Sequence, residues 1–181
     1  MSTRRDQILD AAATLFAARG FHGVSVHDIG HACGISGPAI YKHFTGKDDL
    51  LAQSLVTISE RLLAEGRARA DTADPSARLD ALIGWHIEFT LGHPALIVVQ
   101  EREWANLDVG GRRQVRTLQL AYIDVWVDTL RLLRDDLDAA EARAIVQATF
   151  GLLNSTPHSA RIGADVMASR LATMARAALL A

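Results

Sequence analysis

An all-α fold is predicted by three features of the 181-residue sequence. Apolar residues recur at three- and four-residue spacing along nearly the whole chain. Capping residues, glycines and prolines punctuate these periodic segments. The strict alternation of a half-buried strand is scarce. Together these predict about nine helices, three in a head over residues 1–47 and the rest in a body over 48–181.

In the first segment, Ile8, Leu9, Ala12, Leu15 and Phe16 form one face between Thr3 and Arg19, and Gly20 supplies the C-terminal stop. Ser25 is an N-cap with Asp28 placed to answer it in a capping box, and Gly34 ends that second helix after about two turns. Ser36 caps a third, with Pro38 in its first turn and Ile40, Tyr41 and Phe44 carrying it to Thr45-Gly46. Lys47-Asp48-Asp49 opens a long helix to about Arg69, and Asp71 to Pro75 is a polar break. Leu79, Leu82, Ile83, His86, Phe89 and Thr90 mark a fifth helix ending at Gly92-His93-Pro94. A shorter one runs from Ala95 to Ala105, with a loop from Asn106 to Gly111. Arg112 to about Arg134 is a long amphipathic helix; Asp138 caps another through Leu153; Gly163 and Asp165 begin the last.

With 49% hydrophobic and 22% charged residues, the composition is that of a soluble globular protein rather than a disordered one. The uncharged, apolar stretch Phe89 to Gln100 is too short and too broken to span a bilayer. The N-terminus lacks the apolar block of a signal peptide, so a cytoplasmic protein without membrane association is expected. A single cysteine, Cys33, cannot form an internal disulfide or a zinc finger, and it is expected to be a small buried thiol.

Charge is uneven. The head holds five basic side chains against three acidic ones, while the body holds fourteen against eighteen, so the net charge of −2 divides into +2 and −4. Both lysines, Lys42 and Lys47, lie in the head, a modest hint of an anionic partner there. Two short helices joined by Gly34-Ile35, with a first helix over them, make a helix-turn-helix. Helices this short need packing, which Ile29, Ala32, Ile35, Ile40 and Phe44 are expected to supply. The opposite face presents Gly37, Pro38, Ala39, Tyr41, Lys42 and His43 to a partner. Gly37 and Ala39 let a backbone approach a base edge, and Tyr41, Lys42, His43 and Lys47 suit phosphates, as do the helix starts at Ser25 and Ser36. Tyr41 and His43 have an alternative reading as an aromatic pair closing the small core.

The segments Ala17-Ala18-Arg19-Gly20-Phe21, Val24-Ser25-Val26-His27-Asp28-Ile29, Gly34-Ile35-Ser36, Ile40-Tyr41-Lys42-His43-Phe44 and Lys47-Asp48-Asp49-Leu50-Leu51 carry a resemblance. Residues 4–52 closely resemble the DNA-binding domain of the TetR family of bacterial transcriptional regulators. Gly30 and Cys33 depart from that family's usual alanines and are expected to weaken the second helix slightly. The resemblance implies that Ser25, Val26 and His27 lie beside the DNA backbone and that Gly37, Pro38 and Ala39 face bases. It also implies that Tyr41, His43 and Lys47 grip phosphates, with Lys42 suited to either role.

TetR-like proteins use the C-terminal helices for dimerisation and for a small-molecule pocket. Two stripes suit self-association: Ile145, Thr149 and Leu152 on one helix, and Met167, Leu171, Met174 and Ala178 on the last. The same stripes would also serve intrachain packing. Aromatic residues concentrate on the helices around a central cavity, so Trp85, His86, Phe89, Trp104, Tyr122, Trp126, Phe150 and Asn154 are the candidate pocket residues. Residues 150–159 form either a pocket edge or a loop in the dimer contact.

The expected function is a homodimeric, ligand-responsive regulator, foremost a repressor, that binds a near-palindromic double-stranded operator and is released by a small, largely apolar effector. A dimeric DNA-binding protein without ligand control is the alternative. An enzyme is not favoured, because the sequence shows no nucleophilic triad order, phosphate loop or metal motif, and His86 and Glu88 diverge on a helix. No metal, cofactor or catalytic residue is expected.

Overall fold

The computed structural model describes residues 3–181. Helices are α1 (Arg4–Arg19), α2 (Val26–Ala32), α3 (Gly37–Ile40), α4 (Lys47–Arg69), α5 (Pro75–Gly92), α6 (Pro94–Glu103), α7 (Val109–Arg131), α8 (Ala139–Leu153), α9 (Thr156–Ser159) and α10 (Ala164–Leu180), with a 3-10 turn at Trp104–Asn106. The fold is all-α, and α9 adds a single turn to the expected helices.

Local chemistry sets most boundaries. Thr3, Ser25 and Asp138 each close a reciprocal capping box, with Asp6, Asp28 and Glu141 as partners. Gly20 and Gly34 end their helices at φ of 75° and 66°, where a Cβ would be strained. The end of α3 and the start of α7 depart from expectation. The α-helix at α3 spans only one turn, after which Tyr41 to His43 continue as turns. In contrast, α7 starts three residues early, because the Asp108 carboxylate accepts from the Gly111 amide at 2.6 Å and so caps a first turn that reads as loop.

The chain divides into two compact units. The first comprises the described part of Met1–Ser59 together with Ala95–Arg116. Its core buries Ile8, Phe16, Ile29, Ile40, Leu50 and Leu51 completely, each stabilising the unit by about 1.5–3 kcal/mol. Ala32 is not part of it: this residue is exposed, and Ile35 and Cys33 are only partly covered. The unit also holds α6 to α1, through Arg102 Nη1 donating to the Ala17 carbonyl at 3.1 Å.

The second unit comprises Glu60–Pro94 and Thr117–Ala181. There α10 packs against both α5 and α8, over Leu79, Leu82, Trp126, Leu130, Val146 and Leu171. Three residues expected at a dimer contact, Thr149, Met167 and Leu171, are buried in this core instead, at 1%, 7% and 0% exposure. Ile145 and Leu152 are half-buried, while Met174 and Ala178 face solvent. An apolar stripe requires a cover, and here α5 supplies it from the same chain.

The chain passes between the units three times, along α4, at the α5–α6 break, and along α7. Among the described residues no single helix is long and apolar enough to cross a membrane.

Candidate functional site

Two groups of predicted residues stay distinct. In the first unit, Ser25, His27, Ser36, Pro38, Tyr41, Lys42 and His43 are exposed, and Val26, Gly37, Ala39 and Lys47 are partly so. Tyr41 is 59% exposed, so it does not close the core with His43; Phe44 does that alone, at 2%. A Cβ on Gly37 would lie 3.7 Å from His27 Cα, which places the start of α3 against the start of α2. At Gly30 a Cβ would come within 3.0 Å of the Ile35 carbonyl and 3.2 Å of the Gly37 amide. Glycine therefore lets the turn close tightly on α2, a benefit set against its expected helix cost.

The polar groups of this surface differ in availability. The Ser25 hydroxyl is held by Asp28, which its hydrogen bonds keep below the usual carboxylate pKa. Ser36 makes no such cap bond. The Lys47 ammonium donates to the Phe21 carbonyl at 2.9 Å and lies 4.3 Å from the centre of the Phe21 ring. It thereby ties the start of α4 to the connection between α1 and α2, a role the sequence did not reveal.

The second unit gathers six of the eight predicted pocket residues. His86 of α5 stacks on Phe150 of α8 at 4.7 Å and 5°, and on Tyr122 of α7 at 5.8 Å and 16°. Trp126 stands edge-on to all three, and Phe89 completes the group 6.0 Å from His86. Asn154 Oδ1 can only accept, so His86 donates from Nε2 to it at 3.0 Å. Nδ1 is then the acceptor for the Tyr122 hydroxyl at 3.2 Å. Burial pulls the His86 pKa from 6.5 down to about 4, against a small opposing effect of Asn154, so the ring is neutral at working pH. Burial also holds the Tyr122 phenol well above its ordinary value. Trp126 is fully buried beside this phenol, and its hydrogen bond with the Tyr122 hydroxyl opposes that rise in part.

Gly66 of α4 seats this cluster. A Cβ there would lie 2.5 Å from Tyr122 Cε2, so the ring presses on the helix backbone itself. Sequence inspection missed Gly66, although a glycine inside a long helix costs about 1 kcal/mol and signals a close approach.

The two remaining predicted residues lie elsewhere. Trp85 points to α4, under Arg69 at 4.4 Å and Arg61 at 5.5 Å. Trp104 falls in the first unit, on the 3-10 turn. A separate groove of about 440 Å³ runs between α5 and α10, beside Gly84, Ile87, Leu91, Ala168 and Ala172. It uses another face of α5 from His86. Among the described residues no group of His, Cys, Asp or Glu is arranged to hold a metal ion.

Comparison with known proteins bears on both units. A model of bacterial regulatory proteins of the tetR family matches residues 8–53, and a tetracyclin repressor-like C-terminal domain model matches residues 72–158. The transcriptional repressor KstR2 of Mycolicibacterium smegmatis is 30% identical over 145 residues, covering 76% of this chain and 71% of the relative. A TetR-family regulator from Bordetella parapertussis superposes with a TM-score of 0.83 at 26% identity, covering 97% of this chain and 95% of that one. AibR, solved with isovaleryl coenzyme A and operator DNA, shares the fold at a TM-score of 0.76 and 22% identity, over 95% and 97% of the two chains.

Proposed function

Because the chain belongs to the TetR family of bacterial regulatory proteins, we propose that it is a ligand-responsive transcriptional repressor, released from its operator by a small, largely apolar effector. The carrying observation is the division of the head: Ile29, Ile40 and Phe44 are buried, leaving Gly37, Pro38, Ala39, Tyr41, Lys42 and His43 at the surface. Small residues at the start of α3 bring its backbone to base edges, while Tyr41, Lys42 and His43 reach phosphates. Lys47 contributes to phosphate binding with the donors its Phe21 contact leaves over.

The protein acts as a homodimer, which sets two recognition helices about 34 Å apart for successive major grooves. Contact with the second copy runs along the outward faces of α8 and α10, through Ile145, Ala148 and Leu152 and through Val166, Met174 and Ala178. These residues are exposed or half-buried, and the two faces are adjacent because α8 and α10 pack together. The effector enters at the His86 cluster. Displacing Tyr122 from Gly66 shifts α4, which runs on toward Lys47 and changes the separation of the recognition helices, so effector and operator oppose each other reciprocally. The neighbour AibR, solved with isovaleryl coenzyme A and operator DNA, supports ligand control over the alternative of a regulator without it.

The test is binding of the purified protein to DNA flanking its own gene, titrated with salt and nonspecific competitor. Tight, competitor-resistant binding to a short near-palindrome is expected, with two chains per site. Weak binding that salt erases on every fragment would defeat the reading.

A further inference from the structure

The groove between α5 and α10 is an unfilled space with a charged rim. Ile87 and Leu91 of α5 and Ala164, Ala168 and Ala172 of α10 make its lining almost wholly apolar, and its volume is about 440 Å³, within the range of small-molecule pockets. Nothing of the protein fills it at Gly84, where a Cβ would meet no atom within 4 Å. One end is closed. Arg176 of α10 reaches Asp80 of α5 and donates to the Ser76 hydroxyl at 3.0 Å, which bridges the two helices beyond Gly84 and shows that they run antiparallel. From that bridge the groove runs toward Leu91 and Ala164, about 10 Å along α5. Two carboxylates flank it there, Glu88 and Asp165, and no lysine or arginine lines it. Both are exposed, and neither makes a hydrogen bond or ion pair among the described residues. The C-terminal end of α5 and the N-terminal end of α10 offset each other at this mouth, so the carboxylates set its sign.

We propose that this groove is a second ligand site, which takes a short apolar chain ending in a cation, an alkylammonium, with the chain on the alanine and leucine floor and the ammonium beside Glu88 and Asp165. Charge complementarity chooses the occupant. A chain of the same length ending in a carboxylate meets two like charges, and a neutral one gains only the floor. A helix of a partner chain fits less well, because it would run into the Arg176 bridge at the closed end. The site is independent of the effector site and of the dimer contact proposed above: His86, Val166, Met174 and Ala178 are not among its lining residues. An occupant touches both α5 and α10, so it stabilises the packing of the second unit in proportion to its affinity.

The probes are octylammonium, octanol and octanoate, equal in chain length and different in head-group charge. Each is titrated into the full-length protein, reading heat of binding and thermal midpoint. Octylammonium is expected to bind about five- to tenfold more tightly than octanol, the difference two exposed ion pairs supply, and octanoate should be the weakest. High salt should shrink that preference. In a Glu88→Gln, Asp165→Asn double variant, octylammonium and octanol should bind alike, with octanol unchanged. Gly84→Leu places a side chain in the empty space. Leucine suits a helix better than glycine, so this variant should keep or raise the thermal midpoint and lose octylammonium at least about tenfold. Equal binding of octylammonium and octanol by the wild type, or tighter binding of octanoate, overturns the inference. So does a preference that survives the double variant, or full binding by Gly84→Leu, since either puts the ligand elsewhere. Absence of binding by all three also overturns it, whether the groove is vacant or covered by a second copy. None of these outcomes touches the repressor reading, which the operator titration decides.

Discussion

Residues assigned to DNA contact stand in solvent around a small core, whereas those assigned to the effector are buried and satisfy one another. Tyr41 is 59% exposed; Tyr122, on the same argument from residue type, is 4% exposed and hydrogen-bonded to His86. The difference follows from what each surface meets. DNA is a large partner that docks on a rigid exterior, so its ligands lose little by waiting hydrated. A small apolar effector needs a dry site, and a dry site left empty would forfeit dispersion contacts, so the protein's own rings fill it. The head is thus preformed and the proposed effector site is closed on itself.

The largest expected consequence is an acid sensitivity specific to the body. The folded-state pKa of His86 is about 4 against 6.5 for an exposed histidine, so between those values the unfolded chain binds a proton that the native chain refuses. Stability is complete above about pH 6.5 and falls as pH drops toward 4, by about 3 kcal/mol. The carboxylates with resolved shifts, Asp6, Asp28 and Asp136, are all held below 3.8 and titrate under this window. Urea midpoints at pH 7 and pH 4.5 should differ strongly in the wild type and much less in His86→Gln. An equal difference in both would remove His86 from its buried neutral role.

Next in size is Gly66→Ala. Replacing an interior helical glycine ordinarily gains about 1 kcal/mol. Here the new Cβ would meet the Tyr122 ring at 2.5 Å, and the ring must leave its seat. A net loss of about 1–2 kcal/mol is expected instead, with operator affinity reduced about tenfold when no effector is present. In a Tyr122→Ala background the same substitution should be stabilising, since nothing then occupies the space. A stabilised single variant with full operator affinity would show that the Tyr122 contact carries no signal.

The comparison also explains what was legible in the sequence. Helix ends were readable because capping is local: Ser25 with Asp28, Asp138 with its own helix, and Gly20 and Gly34 at positive φ all act within a few residues. The aromatic cluster was readable as a group, since sparse aromatics on facing helices meet in the core. Contacts between distant segments were not. Met167 and Leu171 form a correct apolar stripe, yet period alone does not say whether α5 or a second chain covers it. Trp85 belongs to the right helix but points to Arg69, because successive helical positions diverge by about 100°. Lys47 was recognised as a cation without its anchor on Phe21, which lies 26 residues away in sequence.

That anchor makes Lys47 the place where the two regimes of the molecule can be told apart with the smallest perturbation. As a phosphate ligand, Lys47→Ala should weaken binding alike on operator and nonspecific DNA and reduce the salt slope by about one unit. As a tie between α4 and the α1–α2 connection, its loss should leave the slope unchanged and lower the thermal midpoint, through the missing bond to the Phe21 carbonyl and the lost cation–π contact. The side chain has three donors and the carbonyl uses one, so both effects are expected, each near 1 kcal/mol or less. Lys47→Arg keeps the charge with a differently shaped head group, and should restore the salt slope more fully than the thermal midpoint. Restoration of the midpoint alone would mean that Lys47 serves the fold and that phosphate contact falls to Tyr41, Lys42 and His43, the side chains this surface leaves exposed.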